Sequence, residues 1–153
     1  MTDTPTPALG TTTITQIGLV VRDIEARARD WSRILGLPEP QIIVTDTYEK
    51  ARTEFRGEPS QARAKLAFFR MGQVQVELIE PTGEASTWRE ELEKRGDSLH
   101  HIAFQIEGMG EKLAYLEGQG VSLVQKGEYT GGRYAYVDAM GPLGTIIELL
   151  END

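Results

Sequence analysis

Two carboxylates, one imidazole and one carboxamide stand at related places in a repeated pattern: Gln16, Glu77, His101 and Glu148. Each lies within an apolar, β-branched run, where a polar side chain is costly unless it is paired or used. Oxygen and nitrogen donors of this kind suit a divalent cation, with positions left for water or substrate. Taken singly, a strand glutamate is ordinarily a solvated edge residue and a lone histidine ordinarily makes a structural hydrogen bond. Recurrence at equivalent positions changes that balance in favour of one shared site.

Strand alternation is what selects the four. Ile17, Leu19 and Val21 share one face of a strand, and Gln16, Gly18 and Val20 share the other. Val74, Val76 and Leu78 oppose Gln75, Glu77 and Ile79. Ile102, Phe104 and Ile106 oppose His101, Ala103 and Gln105, while Thr145, Ile147 and Leu149 oppose Ile146, Glu148 and Leu150. Every polar residue of the set therefore falls on the face turned away from the helices. The same alternation turns His100 away from His101, so the two adjacent histidines are not expected to serve one metal.

The elements that must position these residues follow from local signals. After Asp23, a helix cap, Ile24, Ala28, Trp31 and Leu35 share a helical face that Gly36-Leu37-Pro38 ends. Residues 41–44 form a short strand, 49–63 a charged loop, and 65–71 and 73–80 a hairpin turning at Gly72. Thr87-Trp88-Arg89-Glu90 has capping-box spacing for a helix ending at Gly96. The opening pattern then returns: a strand over 99–106, a helix over 108–119, and strands over 121–124, 133–138 and 144–150. Two βαβββ modules, too small to bury their sheets alone, should join into one cup-shaped, eight-stranded mixed sheet of the α+β class. The expected organisation is a flexible tail over 1–13 and a single domain over 14–153. Within it lie module one at 14–81, a connector helix region at 82–98 and module two at 99–150.

Composition narrows the function classes. The 153 residues, 39% hydrophobic and 26% charged, suffice for one globular domain with a real core. Twenty-four acidic against sixteen basic residues give a net charge of −8, which argues against nucleic acid as a partner. The absence of cysteine removes disulfides, thiolate zinc sites and cysteine nucleophiles. No apolar run reaches the ~20 residues of a membrane helix, and MTDTPTPALGTTT lacks the marks of a secretory signal. A cytoplasmic location is the resulting expectation.

The motifs Gln16-Ile17-Gly18-Leu19-Val20-Val21, Val76-Glu77-Leu78-Ile79-Glu80-Pro81, Leu99-His100-His101-Ile102-Ala103-Phe104 and Ile147-Glu148-Leu149-Leu150-Glu151 resemble the vicinal oxygen chelate (glyoxalase/bleomycin resistance/dioxygenase) superfamily. The resemblance covers residues 14–151 and is nearest to the branch holding methylmalonyl-CoA epimerases and glyoxalase I. It implies one divalent ion per chain (zinc, cobalt, nickel or manganese), held by Gln16, Glu77, His101 and Glu148. It also implies a homodimer acting on a small carbonyl compound, either an acyl-CoA or a thiol adduct. Glu148 matches the carboxylate that serves as ligand and base in both enzymes, taking a proton next to a carbonyl.

The ligand set departs from the epimerases, which usually carry histidine where this chain has Gln16, and resembles the eukaryotic type of glyoxalase I. Two positions that hold glutathione carboxylates in that enzyme are Val20 and Asp97 here, which favours the epimerase-like reading, with lactoylglutathione lyase as the alternative. A non-catalytic small-molecule binding protein of the same fold is the second alternative. The chain's only two histidines are expected on opposite strand faces, so it is not expected to supply the two-His-one-carboxylate set of the superfamily's iron dioxygenases. Arg133, Tyr136 and Lys65 are the candidate substrate contacts. Lys65 stands near the place of the epimerases' second acid/base.

Overall fold

Asp23 opens the first helix as its sequence suggests: extended itself, it accepts a hydrogen bond from the Ala26 N–H at 3.1 Å through Oδ1. The computed structural model describes residues 5–153 and gives this helix, α1, as Ile24–Leu35, closed by left-handed Gly36 with φ 67°. Before it runs β1 (Gln16–Val20); after it come β2 (Ile43–Val44), α2 (Tyr48–Ala51), β3 (Glu54–Phe55), β4 (Glu58–Pro59), β5 (Arg63–Met71) and β6 (Val74–Thr82). The connector helix α3 is Thr87–Arg95. Its cap is Ser86, one residue before the expected position, whose Oγ accepts from the Arg89 N–H at 3.1 Å. The second module supplies β7 (Ser98–Gln105), α4 (Met109–Gly118), β8 (Ser122–Tyr129), β9 (Gly132–Ala139), the short α5 (Met140–Leu143) and β10 (Thr145–Asn152).

All strands join one mixed sheet in the order β2-β5-β6-β1-β7-β10-β9-β8-β3-β4. The architecture is the expected α+β one, with ten strands among the described residues rather than eight. The two additional strands come from the charged segment expected to be a loop. There, left-handed Gly57 (φ 82°) turns a two-residue hairpin whose first strand pairs with β8. Within each module the first strand runs parallel to the last, β1 with β6 and β7 with β10, and antiparallel β1 and β7 join the halves.

Three apolar clusters hold the sheet. On the outer face of module one, Ile24 and Ala28 of α1 pack on Ala67, Phe69, Val76 and Leu78. On that of module two, Met109, Leu113 and Leu116 of α4 cover Val137, Ile147 and Leu149. The third cluster lies on the inner face. There Trp88 and Leu92 of α3 close one end of the cup against Val20, Ile79, Tyr136 and Ile146. Of the expected tail, residues 1–4 lie outside the described residues. Leu9 packs against the α4 cluster, next to a turn in which the Gly10 N–H bonds the Pro7 carbonyl at 2.9 Å.

Candidate metal centre

The register of the four central strands brings the selected residues together. Glu77 stands beside Gly18, two positions beyond Gln16; Glu148 stands beside Ala103, two positions beyond His101. The offset is identical in the two modules, and the β1–β7 pairing sets Gln16 opposite Ala103 and Gly18 opposite His101. Three oxygens therefore gather on one nitrogen. His101 Nε2 lies 2.9 Å from Gln16 Oε1, 3.3 Å from Glu148 Oε1 and 3.6 Å from Glu77 Oε1. All four residues are buried. Gln16 is steadied from outside by donating through Nε2 to Gln75 Oε1 at 2.8 Å.

The arrangement fits a cation. Glu77 Oε1 and Glu148 Oε1 are buried and make no hydrogen bond among the described residues, which two carboxylates in an apolar sheet do not ordinarily tolerate. Burial, and then repulsion from Glu148, raises Glu77 well above the usual carboxylate range. Burial pushes Glu148 up to about 8, against the opposing pull of a hydrogen bond from Tyr136. Burial also pushes His101 down to about 3, leaving a neutral imidazole with a lone pair to offer. A divalent ion would be held by Gln16, Glu77, His101 and Glu148, whose carboxylates supply two negative charges against its two positive ones. Among the described residues, the acidic and imidazole side chains whose ligand atoms all lie within 4.8 Å of one another are not Glu77, His101 and Glu148 but Asp23, Glu25 and Glu80 at the start of α1, and that group is already engaged. Asp23 caps the helix, Glu80 accepts the Ile24 N–H at 3.0 Å, and Lys65 pairs with Glu25 and Glu80.

The expectation for His100 is overturned. The β1–β7 register shifts between Gly18 and Leu19, so that His100 is an extra residue, a β-bulge in β7. A bulge breaks the strict alternation on which the expectation rested. His100 turns to the same side as His101, fully buried, with Nδ1 2.9 Å from His101 Nδ1 and Nε2 3.2 Å from Thr87 Oγ1. The Tyr136 ring lies 5.0 Å from each imidazole, and its hydroxyl accepts the Trp88 indole N–H at 3.0 Å.

A cavity of about 490 Å³ opens over Gln16, Glu77 and Glu148. Leu66, Phe68, Trp88, Tyr134, Tyr136 and Leu150 form much of its wall, and no Lys or Arg lines it among the described residues. Beside it, a smaller space of about 250 Å³ shares Gln16, Gln75 and Leu150 and is bordered by Arg70. Arg70 pairs in register with Gln75, as Phe68 does with Glu77, which sets it on the inner face.

The three candidate substrate contacts separate. Tyr136 stands directly across from Glu148 in the β9–β10 ladder and lines the main cavity. Lys65 pairs in register with Glu80, and its ion pairs with Glu25 and Glu80 hold it at α1 outside the cavity wall. Arg133 is held by Glu151 at 2.7 Å and by Asp153, and it borders a different space beneath α4. Tyr134, expected on the same strand face as Tyr136, lines the main cavity with it, whereas Arg70 was missed. The hairpin register that turns Arg70 inward was available from the Gly72 turn.

Residues 15–137 match the family model described as the Glyoxalase/Bleomycin resistance protein/Dioxygenase superfamily. The chain belongs to this superfamily. It is 30% identical over 138 residues to the uncharacterized protein YqjC of Bacillus subtilis (strain 168), covering 88% of this chain and 89% of that one. Its fold is similar to that of the hypothetical protein BH1468 from Bacillus halodurans, with a TM-score of 0.64, 21% identity, and 92% and 94% of the two chains covered. The methylmalonyl-CoA epimerase of Mycobacterium tuberculosis gives a TM-score of 0.61 at 21% identity over 99% of this chain and 93% of that one. A variant of the Streptomyces coelicolor methylmalonyl-CoA epimerase, in complex with 2-nitronate-propionyl-CoA, gives 0.60 at 20% identity over 91% and 96%. At these identities the structural likeness speaks for the fold.

Proposed function

We propose that this protein is a divalent-metal-dependent isomerase of the epimerase kind, removing a proton from the carbon next to the carbonyl of a small acyl thioester. The observation that carries this reading is the pair of buried, unbonded carboxylate oxygens on Glu77 and Glu148 facing one neutral imidazole beneath a cavity. A divalent ion bound by Gln16, Glu77, His101 and Glu148 supplies Lewis-acid stabilisation of the negative charge that develops on the substrate oxygen. Glu148 is the base. Its carboxylate takes the proton as the C–H electron pair moves toward the carbonyl. Returned from the same side, the proton restores the original configuration or moves to the neighbouring carbon, so epimerisation requires a second acid that delivers a proton to the opposite face of the planar carbon. Tyr136, oriented by Trp88, holds the Glu148 carboxylate in place, and the aromatic and aliphatic walls keep water from the carbanionic carbon.

The acyl-thioester reading is supported by the likeness to methylmalonyl-CoA epimerases and by Arg70, the one cation bordering either space among the described residues. It is placed to hold an anionic group carried at a distance from the reacting carbon. A homodimer, as is common for the superfamily, would cover the short edge strands β2 and β4.

The second reading, a lyase acting on a thiol hemithioacetal, draws on the Gln-Glu-His-Glu set and on Lys65 lying away from the cavity, which leaves one clear base. Val20 and Asp97 speak against glutathione: Val20 is fully buried beneath α3, and Asp97 Oδ1 accepts the Arg22 N–H at 3.0 Å.

Exchange of the α-proton in deuterium oxide tests the reading, with methylmalonyl-CoA and the glutathione hemithioacetal of methylglyoxal as the two substrates. Exchange with the CoA ester that is abolished in Glu148→Gln is the expected result. Exchange undiminished in that variant removes Glu148 as the base.

A further inference from the structure

His100 takes no part in the reaction described above, yet it is fully buried against one of the four residues around the centre. Two imidazole nitrogens facing each other at 2.9 Å must share one proton: one ring donates and the other accepts. That condition permits two neutral arrangements. In the first, His100 Nδ1–H donates to His101 Nδ1, and the proton of His101 sits on Nε2, where Gln16 Oε1 accepts it at 2.9 Å. His100 Nε2 is then bare and accepts from the Thr87 hydroxyl at 3.2 Å.

In the second arrangement every role reverses. His101 Nδ1–H donates to His100 Nδ1, His101 Nε2 is bare, and His100 Nε2–H donates to Thr87 Oγ1. A threonine hydroxyl can serve either way, because it is both donor and acceptor. Only the second arrangement leaves the His101 Nε2 lone pair free to bind a metal ion.

We propose that His100 and Thr87 form a tautomer switch, through which His101 changes from hydrogen-bond donor in the metal-free protein to metal ligand in the loaded one. The four ring nitrogens carry two protons in both states, so the switch requires no net gain or loss of protons, and no buried ring nitrogen is left unpaired. The β-bulge is what makes this possible: without the extra residue, His100 would point away from His101. Tyr136, packed 5.0 Å from both rings, keeps the two imidazoles in contact. His100 is thus a positioning residue for His101, of the kind that sets which nitrogen of a metal-ligating histidine is bare.

The inference rests on the reading that His101 holds a divalent ion, and the experiment separates the two. Protein labelled with nitrogen-15 in histidine is followed by long-range proton–nitrogen NMR, first with chelator and then with one equivalent of zinc. The expected metal-free state has His101 protonated on Nε2 and His100 on Nδ1, both reversing when zinc binds. Thr87→Val, nearly isosteric but without the hydroxyl, should bind zinc about ten- to a hundredfold more weakly, while Thr87→Ser stays near the parent value. Zinc bound with His100 keeping one tautomer throughout overturns this proposal alone. So does a folded Thr87→Val with undiminished zinc affinity. Failure of the parent protein to bind zinc overturns the metal reading and this proposal together.

Discussion

Gly18 lies directly across from His101 in the antiparallel pairing of β1 and β7, and the imidazole occupies the space a side chain at Gly18 would need. A Cβ there would overlap His101 Cε1 and come within 2.6 Å of Nε2. The backbone of β1 requires no positive φ at this position, so the glycine is explained by the histidine it accommodates. Gly18→Ala is expected to displace the ring, destabilise the protein by about 1–3 kcal/mol and remove most of its metal affinity. Denaturant unfolding and metal titration measure the two effects. Unchanged metal affinity in a folded variant would show that the ring does not need this place.

The burial that raises the carboxylates makes metal-free stability depend on pH. Glu148 is raised to about 8 from 4.5, so its stabilising contribution is complete below about pH 4.5 and is lost as pH rises through about 8. Glu77 shifts in the same direction. His101, lowered to about 3 from 6.5, works oppositely, but its contribution is complete above pH 6.5; His100, also lowered, behaves likewise. Between pH 6.5 and 8 the carboxylates therefore decide the sign. The Tm of metal-free protein should fall across that window by roughly 3–6 °C, corresponding to about 1–2 kcal/mol. Manganese should flatten the slope. Calorimetry in chelator that finds a flat or rising Tm contradicts the assignment.

Arg70 provides a test of the substrate class. Arg70 borders the space next to the centre but makes no hydrogen bond or ion pair with any of the four residues in it, so Arg70→Gln should leave metal binding intact. Binding of propionyl-CoA should weaken about tenfold, while propionyl-pantetheine, which has the same acyl group without the nucleotide phosphates, should be unaffected. Equal losses for both compounds, or no loss for either, would take the anionic group away from Arg70.

Much of the fold and the convergence of the four polar side chains were legible in the sequence because both depend on period-two alternation repeated in two modules. Gln16, Glu77, His101 and Glu148 each sit on a regular stretch of strand, where alternation determines the face. His100 was not legible. Leu99-His100-His101-Ile102 reads as an ordinary alternating strand, and the inserted residue is revealed only by the pairing with Gly18 and Leu19. The β3–β4 hairpin was missed for a related reason: two-residue strands carry no period, and β3 is defined by its distant partner β8. Lys65 was drawn toward the site by the family resemblance, whereas alternation with inward Leu66 and Phe68 sends it to the outer face, where it meets Glu80.

The account turns on a divalent ion at this centre, and elemental analysis of the purified protein after dialysis tests it most directly. About one divalent ion per chain is expected in the parent protein. Almost none should remain in the His101→Ala, Glu148→Ala double variant, because it removes one carboxylate and the imidazole on which the three oxygens converge. Full occupancy in the folded double variant, or a parent protein that takes up no divalent ion when it is supplied, would contradict the account.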